Sequence, residues 1–249
     1  MEDSTHPHEQ AIASPSESGG RRKLFGRGGR LGNYGLLLIA LILTFVLGPL
    51  LSEHRFGLWV ADFIAIMVVL AAISAVTNQR WHAYSLAILS LAAIIPQALD
   101  PHVESNLTGL FANIASMLFL IYLVVIILRD IFRTTHVSMD TLLGSVCGYL
   151  LLSAVFAACY STLVLFQPDA FIIDARLPID PAKLHFQGAH FDVLLYYSVI
   201  TLTTVGYGDI IPATTFAREL VAAEAVMGQV YLTMIVARLV GMHLTASLR

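Results

Sequence analysis

The sequence predicts an all-α membrane protein with six transmembrane helices and a re-entrant segment between the fifth and the sixth helix. Hydrophobic residues make up 57% of the 249 residues and charged residues only 12%, whereas a soluble domain carries about 25% charged residues. The apolar residues occur in blocks long enough to cross a bilayer as helices. Lipid offers backbone groups no partner, so each crossing segment must be helical.

The six apolar blocks follow a first segment, residues 1–34, which is rich in Ser, Gly, Pro and charge. A segment of that composition cannot bury a core, and we expect it to be disordered. Asp140 is predicted to cap the fifth helix at its N-terminus. The predicted helices span residues 35–51, 58–76, 83–99, 107–128, 141–166 and 214–243.

Basic residues predict the orientation of these helices. With the N-terminus inside, ten of the 14 Lys and Arg residues fall on the cytoplasmic side and four on the other side. This excess favours a multi-pass protein of the cell membrane with both termini in the cytoplasm. The ten are Arg21, Arg22, Lys23, Arg27, Arg30, Arg80, Arg129, Arg133, Arg238 and Arg249.

Residues 192–209 lie between the fifth and sixth helices and are too short and too glycine-rich at their end to cross the membrane as a helix. They fit a short helix followed by extended backbone, which is tolerated where protein covers it. Gly206 and Gly208 stand two residues apart, as required where alternate residues need a positive φ. Such a backbone presents successive carbonyl oxygens to one side, where they can replace the water around a potassium ion. An ordinary turn is the alternative interpretation of Gly-Tyr-Gly-Asp.

The stretch from Tyr196 to Asp209, which ends in Thr-Thr-Val-Gly-Tyr-Gly-Asp, resembles the pore helix and selectivity filter of potassium channels. Pro212, Arg218 and the run that begins at Gly228 extend the similarity to the pores of bacterial channels in the two-transmembrane "ion channel" superfamily. The resemblance is strong over about residues 192–240. The first four helices match the family only in their number and placement. It implies a six-transmembrane channel with a tail (1–34), a four-helix domain (35–133) and a pore domain (134–249).

The resemblance also implies roles for individual residues. Potassium, the permeant ion, would be bound by Thr204, Val205, Gly206 and Tyr207, with Gly208 completing the filter and Thr203 and Asp209 flanking it. Tyr196 would bond Asp209 from behind, where many relatives use Trp. Because one loop supplies a quarter of each oxygen ring, the channel would be a homotetramer embedded in lipid. The family also places a flexible glycine on the last helix, followed by a residue that faces the cavity, and these correspond here to Gly228 and Gln229. Helical spacing then predicts that Leu232 or Thr233, Val236 and Val240 lie on the same inward face.

Two helices carry further predictions. The fourth block, residues 107–128, contains no Lys or Arg, although voltage sensing needs several positive charges within the membrane. We therefore expect a four-helix domain without sensor arginines and little voltage dependence.

Glu224 lies in an apolar run of the last helix, and an acid facing lipid there would be costly. We expect Glu224 to support the filter through hydrogen bonds, with ion contact as the alternative.

Other function classes find less support in the sequence. A non-conducting membrane scaffold or regulatory subunit with a relict pore would fit a damaged filter, and a weakly selective cation channel would alter Thr204, Val205 or Tyr207. No nucleophile–base pair, metal-ligand cluster or phosphate loop indicates an enzyme. The pattern G-x-G-x-x-G fails because position 211 is Ile. We expect no cofactor, no nucleic-acid partner and no small-molecule substrate.

Overall fold

The computed structural model describes residues 33–51, 68–72, 80–99, 106–134, 138–174 and 191–247. These residues are mostly helical, and residues 68–72 form a short helical piece of the predicted second helix. The predicted tail, apart from its last two residues, and the rest of the second helix lie outside the described residues. The elements are α1 (Asn33–Leu51), α2 (Arg80–Leu99), α3 (Asn106–Arg133), α4 (Met139–Phe166), β1 (Phe171–Ile173), α5 (Phe191–Leu202), β2 (Ile210–Pro212) and α6 (Thr215–Ser247).

Three of the described helices are long and apolar enough to cross a membrane. They lie within α3, α4 and α6, at Leu110–Arg133, Met139–Phe166 and Thr215–Gly241. The apolar stretches of α1 and α2 are shorter, at Tyr34–Leu47 and Tyr84–Ala93. The protein is therefore a membrane protein by the length and composition of these helices, and six crossings stay a prediction.

Helix α4 is the central element, because it contacts α1, α3, α5 and α6. Its glycines allow two of these contacts. A Cβ at Gly144 would lie 3.1 Å from the ring of Tyr34 in α1, and one at Gly148 would overlap the hydroxyl of Tyr231 in α6. Small residues at such positions let helices approach closely in membranes.

The start of α4 differs from the prediction. Ser138, rather than Asp140, is the N-cap, and its side chain accepts a hydrogen bond from the main-chain N–H of Thr141 at 3.1 Å. Asp140 instead accepts from the main-chain N–H of Tyr34 at 3.0 Å, at the first turn of α1. An acidic side chain is favourable at the N-terminus of a helix because the free N–H groups there carry partial positive charge. Asp140 therefore fixes α1 to α4.

The two strands form an antiparallel pair, in which Phe171 is opposite Pro212 and Ile173 is opposite Ile210. β1 follows α4 after a short turn, and β2 follows the segment that ends at Asp209. Two further hydrogen bonds extend the pair at its ends. The N–H of Asp174 donates to the carbonyl of Asp209 at 2.9 Å, and the N–H of Ala213 donates to that of Ala170 at 2.8 Å.

Candidate functional site

The predicted site follows α5, in a segment that we call the glycine loop (residues 203–209). The N–H of Thr204 donates to the carbonyl of Thr201 at 2.9 Å. The N–H groups of Val205 and Gly206 both donate to the carbonyl of Ile200, at 2.9 and 3.2 Å. The last carbonyls of a helix have no partner within it. Here they hold the first half of the loop by its N–H groups.

The backbone of the glycine loop alternates in conformation. Thr204 has a φ of 60°, Gly206 of 51° and Gly208 of 79°. Left-handed backbone is free of strain for glycine, but for another residue such as Thr204 it costs about 1–3 kcal/mol. A Cβ at Gly206 or Gly208 would meet no atom within 4 Å, so it is the dihedral angle rather than space that requires glycine there.

Four carbonyl oxygens of the loop, those of residues 204–207, accept no hydrogen bond from the part of the chain that the structure describes. The side chains of this segment are exposed in the single chain, with Val205 at 51% and Tyr207 at 73%. Because backbone carbonyls are strong acceptors that need a partner when buried, these four oxygens are available to bind a cation.

Asp209 closes the loop and is bonded on three sides. Its Oδ2 accepts from the hydroxyl of Tyr196 in α5 at 2.7 Å, and its Oδ1 accepts from its neighbour's N–H, that of Ile210, at 3.1 Å. Its carbonyl accepts from the N–H of Asp174. The pairing of Tyr196 with Asp209 has the geometry that the resemblance implies. The bond from Asp174 could not be read from the sequence.

Glu224 in α6 is fully buried, and its two oxygens accept from two other helices. The hydroxyl of Ser198 in α5 donates to Oε1, and that of Tyr160 in α4 donates to Oε2. The Ser198 hydroxyl also lies 2.8 Å from the carbonyl of Ser153. We call Glu224, Ser198 and Tyr160 the carboxyl cluster; it joins α4, α5 and α6 behind the glycine loop.

The sequence analysis missed Ser198 and Tyr160 as partners of Glu224. A polar residue in an apolar helix is a signal for pairing between helices, and both residues carry it. The sequence separations of 26 and 64 residues, however, leave the choice of partner to the fold.

Gly228 lies where α6 comes closest to the end of α5. A Cβ at this position would be 2.7 Å from the carbonyl oxygen of Leu202, which also accepts a hydrogen bond from Tyr149 at 2.8 Å. Helix α6 is continuous from Thr215 to Ser247. Gly228 therefore serves a close backbone approach in this structure, and its predicted role in bending stays a prediction.

The predicted cavity residues share one side of α6. Gln229, Leu232, Thr233, Val236 and Val240 are all exposed in the single chain. The buried positions Glu224, Gly228, Tyr231 and Ile235 lie on another side and face the protein's own helices. At about 100° per residue the centres of the two sets lie roughly 125° apart around the helix. The predicted face is thus directed away from the chain's own core.

The family model described as "Ion channel" matches residues 146–243. No curated protein and no solved structure matches the chain. The matched part contains most of α4, both strands, α5, the glycine loop and most of α6. This match supports an ion-channel pore in that part of the chain.

Proposed function

We propose that this protein conducts potassium passively and selectively across the cell membrane as a tetramer of identical subunits. The glycine loop is its selectivity filter. The carbonyls of Thr204, Val205, Gly206 and Tyr207 and the hydroxyl of Thr204 bind the permeant ion. The single observation that carries the proposal is the alternating positive φ at Thr204, Gly206 and Gly208, next to carbonyls that have no donor among the described residues. Rings of such carbonyls replace the hydration shell of potassium.

The exposure of the loop favours assembly from several copies. One chain offers one oxygen at each level, whereas the coordination of a dehydrated ion by carbonyls takes loops from four subunits. Beside the loop, an open groove of about 320 Å³ is lined by residues of α5, β2 and α6, including Tyr197, Ile200, Ile211 and Val221. Large apolar side chains of α6 such as Val226 and Val230 are also exposed in the single chain. A second copy of this chain is the occupant that suits both surfaces.

The four-helix part is proposed to cross the membrane four times and to respond weakly to voltage. With the two further crossings proposed for the pore domain, both termini lie in the cytoplasm. Basic residues of α3 occur only in its last turns, where Arg129 and Arg133 are exposed and Asp130 lies between them. Charges at a helix end near the interface do not move through the field. The open probability should therefore change little with voltage.

The last helix is proposed to line the cavity with Gln229 and to narrow the pore at Val236 and Val240. An amide oxygen can accept from ion-bound water, and an apolar ring can close by dewetting. Single cysteines at 229, 232, 236 and 240 should react with thiol reagents added from the cytoplasmic side. If none alters conduction in open channels, this face does not line the pore.

Two alternatives make different predictions in the same recording. A scaffold with a relict pore would give no current, and a weakly selective cation channel would give a reversal potential set by sodium and potassium together. The intact loop, with all three left-handed residues in place, favours potassium selectivity over both.

The test is recording from the purified protein in planar bilayers with potassium on one side and sodium on the other. We expect the reversal potential to follow the potassium gradient. Gly208→Ala should abolish the current, because alanine resists a φ of 79°. The matched control is Gly241→Ala, since Gly241 lies in α6 and a Cβ there meets no atom within 4 Å. A reversal potential independent of potassium, or normal current from Gly208→Ala, would contradict the proposal.

A further inference from the structure

The segment of residues 171–174 contacts the end of the glycine loop, although 35 positions separate Asp174 from Asp209 in the sequence. Its strand β1 pairs with β2, which begins one residue after the loop ends. Its last residue, Asp174, donates its main-chain N–H to the carbonyl of Asp209 at 2.9 Å. The loop end is thus part of a small sheet as well as the neighbour of α5.

The hydrogen-bond pattern of this sheet can be read from its two ends. In an antiparallel pair, residues opposite each other alternate between hydrogen-bonded and non-hydrogen-bonded positions. Bonds join Asp174 to Asp209 and Ala213 to Ala170, so Ile172 occupies the hydrogen-bonded position between them. Ile173 then occupies a non-hydrogen-bonded position. So does Pro212, which has no N–H to donate.

The strand is itself anchored to the helices. Phe171 is 4% exposed, and its ring packs edge-on against Tyr160 of α4 and Tyr197 of α5, with centroid distances of 5.3 and 5.4 Å. Aromatic pairs at such distances add stabilisation beyond burial. Because Phe171 is held by the two helices that also form the carboxyl cluster, β1 does not simply follow the movements of the loop.

We infer that residues 171–174 position the outer end of the selectivity filter, with the main-chain N–H of Asp174 as the group that holds the Asp209 carbonyl. This inference rests on the proposed function. The side chain of Asp209 is held by Tyr196, and its main chain is held independently by this strand. The peptide between Asp209 and Ile210 can rotate only if the bond from Asp174 breaks. Loss of that bond should let the filter leave its conducting conformation more often.

Proline at position 174 removes the N–H, while alanine at the same position keeps it and removes only the carboxylate. The extended conformation that proline imposes on the preceding residue suits Ile173, which is already in a strand. A net hydrogen bond contributes about 1 kcal/mol, so Asp174→Pro should lower the conducting fraction roughly fivefold. Asp174→Ala keeps this N–H, so its conducting fraction should stay closer to that of the wild type than the conducting fraction of Asp174→Pro.

The readout is the conducting fraction in bilayers as the potassium concentration is raised on the Asp174 side. Potassium in the filter favours the conducting conformation by mass action, so the deficit of Asp174→Pro should shrink at high potassium. A general folding defect would not respond in this way. Ile172→Pro should behave like Asp174→Pro, whereas Ile173→Pro should resemble the wild type, since its nitrogen has no partner in the ladder.

The outcomes are distinguishable. Wild-type potassium dependence in Asp174→Pro and Ile172→Pro tetramers overturns this inference and leaves the proposed function intact. Should Asp174→Pro fail to assemble, the pair Ile172→Pro and Ile173→Pro decides, and equal behaviour of the two overturns the inference. A wild-type protein that does not select potassium overturns the proposed function itself.

Discussion

The two halves of α6 are held in different ways. Before Gly228, the helix is fixed by buried contacts to the elements around the glycine loop, above all through Glu224, which is fully buried. After Gly228, it is fixed by the Tyr231 hydroxyl, which donates to the carbonyl of Ser145 at 2.7 Å, and by the partly exposed Arg238.

The difference matches two different physical demands. Ion-binding carbonyls must stay in place, and a buried, fully bonded polar cluster rigidifies its surroundings. The proposed gate must have two conformations of similar free energy, and the partly exposed contact of Arg238 near the helix end can break at lower cost than a buried one. We therefore expect substitutions before Gly228 to damage the folded pore and substitutions after it to change gating.

The largest effect is expected for Glu224→Leu. The substitution removes the acceptor of the Tyr160 hydroxyl and leaves Ser198 only the Ser153 carbonyl, at 2.8 Å. An unsatisfied buried polar group costs about 1–3 kcal/mol, and the loss of two hydrogen bonds adds to this cost. The total should be several kcal/mol and prevent stable assembly of the proposed tetramer. The measurement is the fraction of tetramer that survives heating in detergent.

Glu224→Gln is the matched control for that experiment, because its amide oxygen can still accept from one hydroxyl. We expect it to recover a large part of the tetramer that Glu224→Leu loses. Equal thermal survival of Glu224→Leu and the wild type would show that the carboxyl cluster does not stabilise the pore.

A smaller effect is expected for Gly228→Ala. The new Cβ would lie 2.7 Å from the carbonyl oxygen of Leu202, a backbone atom that cannot easily move. Forcing extra volume into a packed contact costs typically about 1–3 kcal/mol. Conduction should fall, because the strain acts on the last residue of α5, directly before the glycine loop.

Gly241→Ala tests whether the effect of Gly228→Ala comes from this contact. Both glycines lie in α6, but among the described residues an added Cβ would meet a close atom at Gly228 and not at Gly241. Gly241→Ala should conduct like the wild type and be slightly more stable, since alanine favours helix over glycine. If the two variants lose conduction equally, the close approach to Leu202 is not the cause.

The sequence predicted the backbone features and helix bounds that depend on residues close together in the chain. The spacing of Gly206 and Gly208 predicted the left-handed positions, and the structure adds Thr204, a residue type that does not reveal a positive φ. Helix bounds from apolar blocks agree with α1, α4 and α6 to within four residues at each end. These features are local, so their signals lie within a short stretch of sequence.

The contacts that the sequence did not predict are long-range. Strand β1 is three residues long and carries no turn or alternation signal of its own, so only its pairing with β2 defines it. The sequence analysis treated Arg238 only as one of the ten basic residues that predict the orientation of the helices. Its main-chain partners are more than 100 residues away, and a carbonyl acceptor leaves no trace in the sequence.

The last and smallest expected effect concerns Arg238, which holds the far end of α6 to the end of α3. Its guanidinium donates to the carbonyls of Ile131 at 3.1 Å, Phe132, and Thr134 at 2.8 Å, and lies 5.1 Å from the centre of the Phe132 ring. These carbonyls end a helix, where free acceptors and the helix dipole favour a cation. Since α6 is continuous in this structure, Arg238 should favour the helix in this conformation. Arg238→Gln should then raise the open probability by about tenfold, which corresponds to about 1.4 kcal/mol, without changing potassium selectivity. Arg238→Lys keeps the charge but not the planar set of donors, and should fall between the wild type and Arg238→Gln. An unchanged open probability in single-channel records of Arg238→Gln would mean that this contact does not couple the four-helix part to the pore.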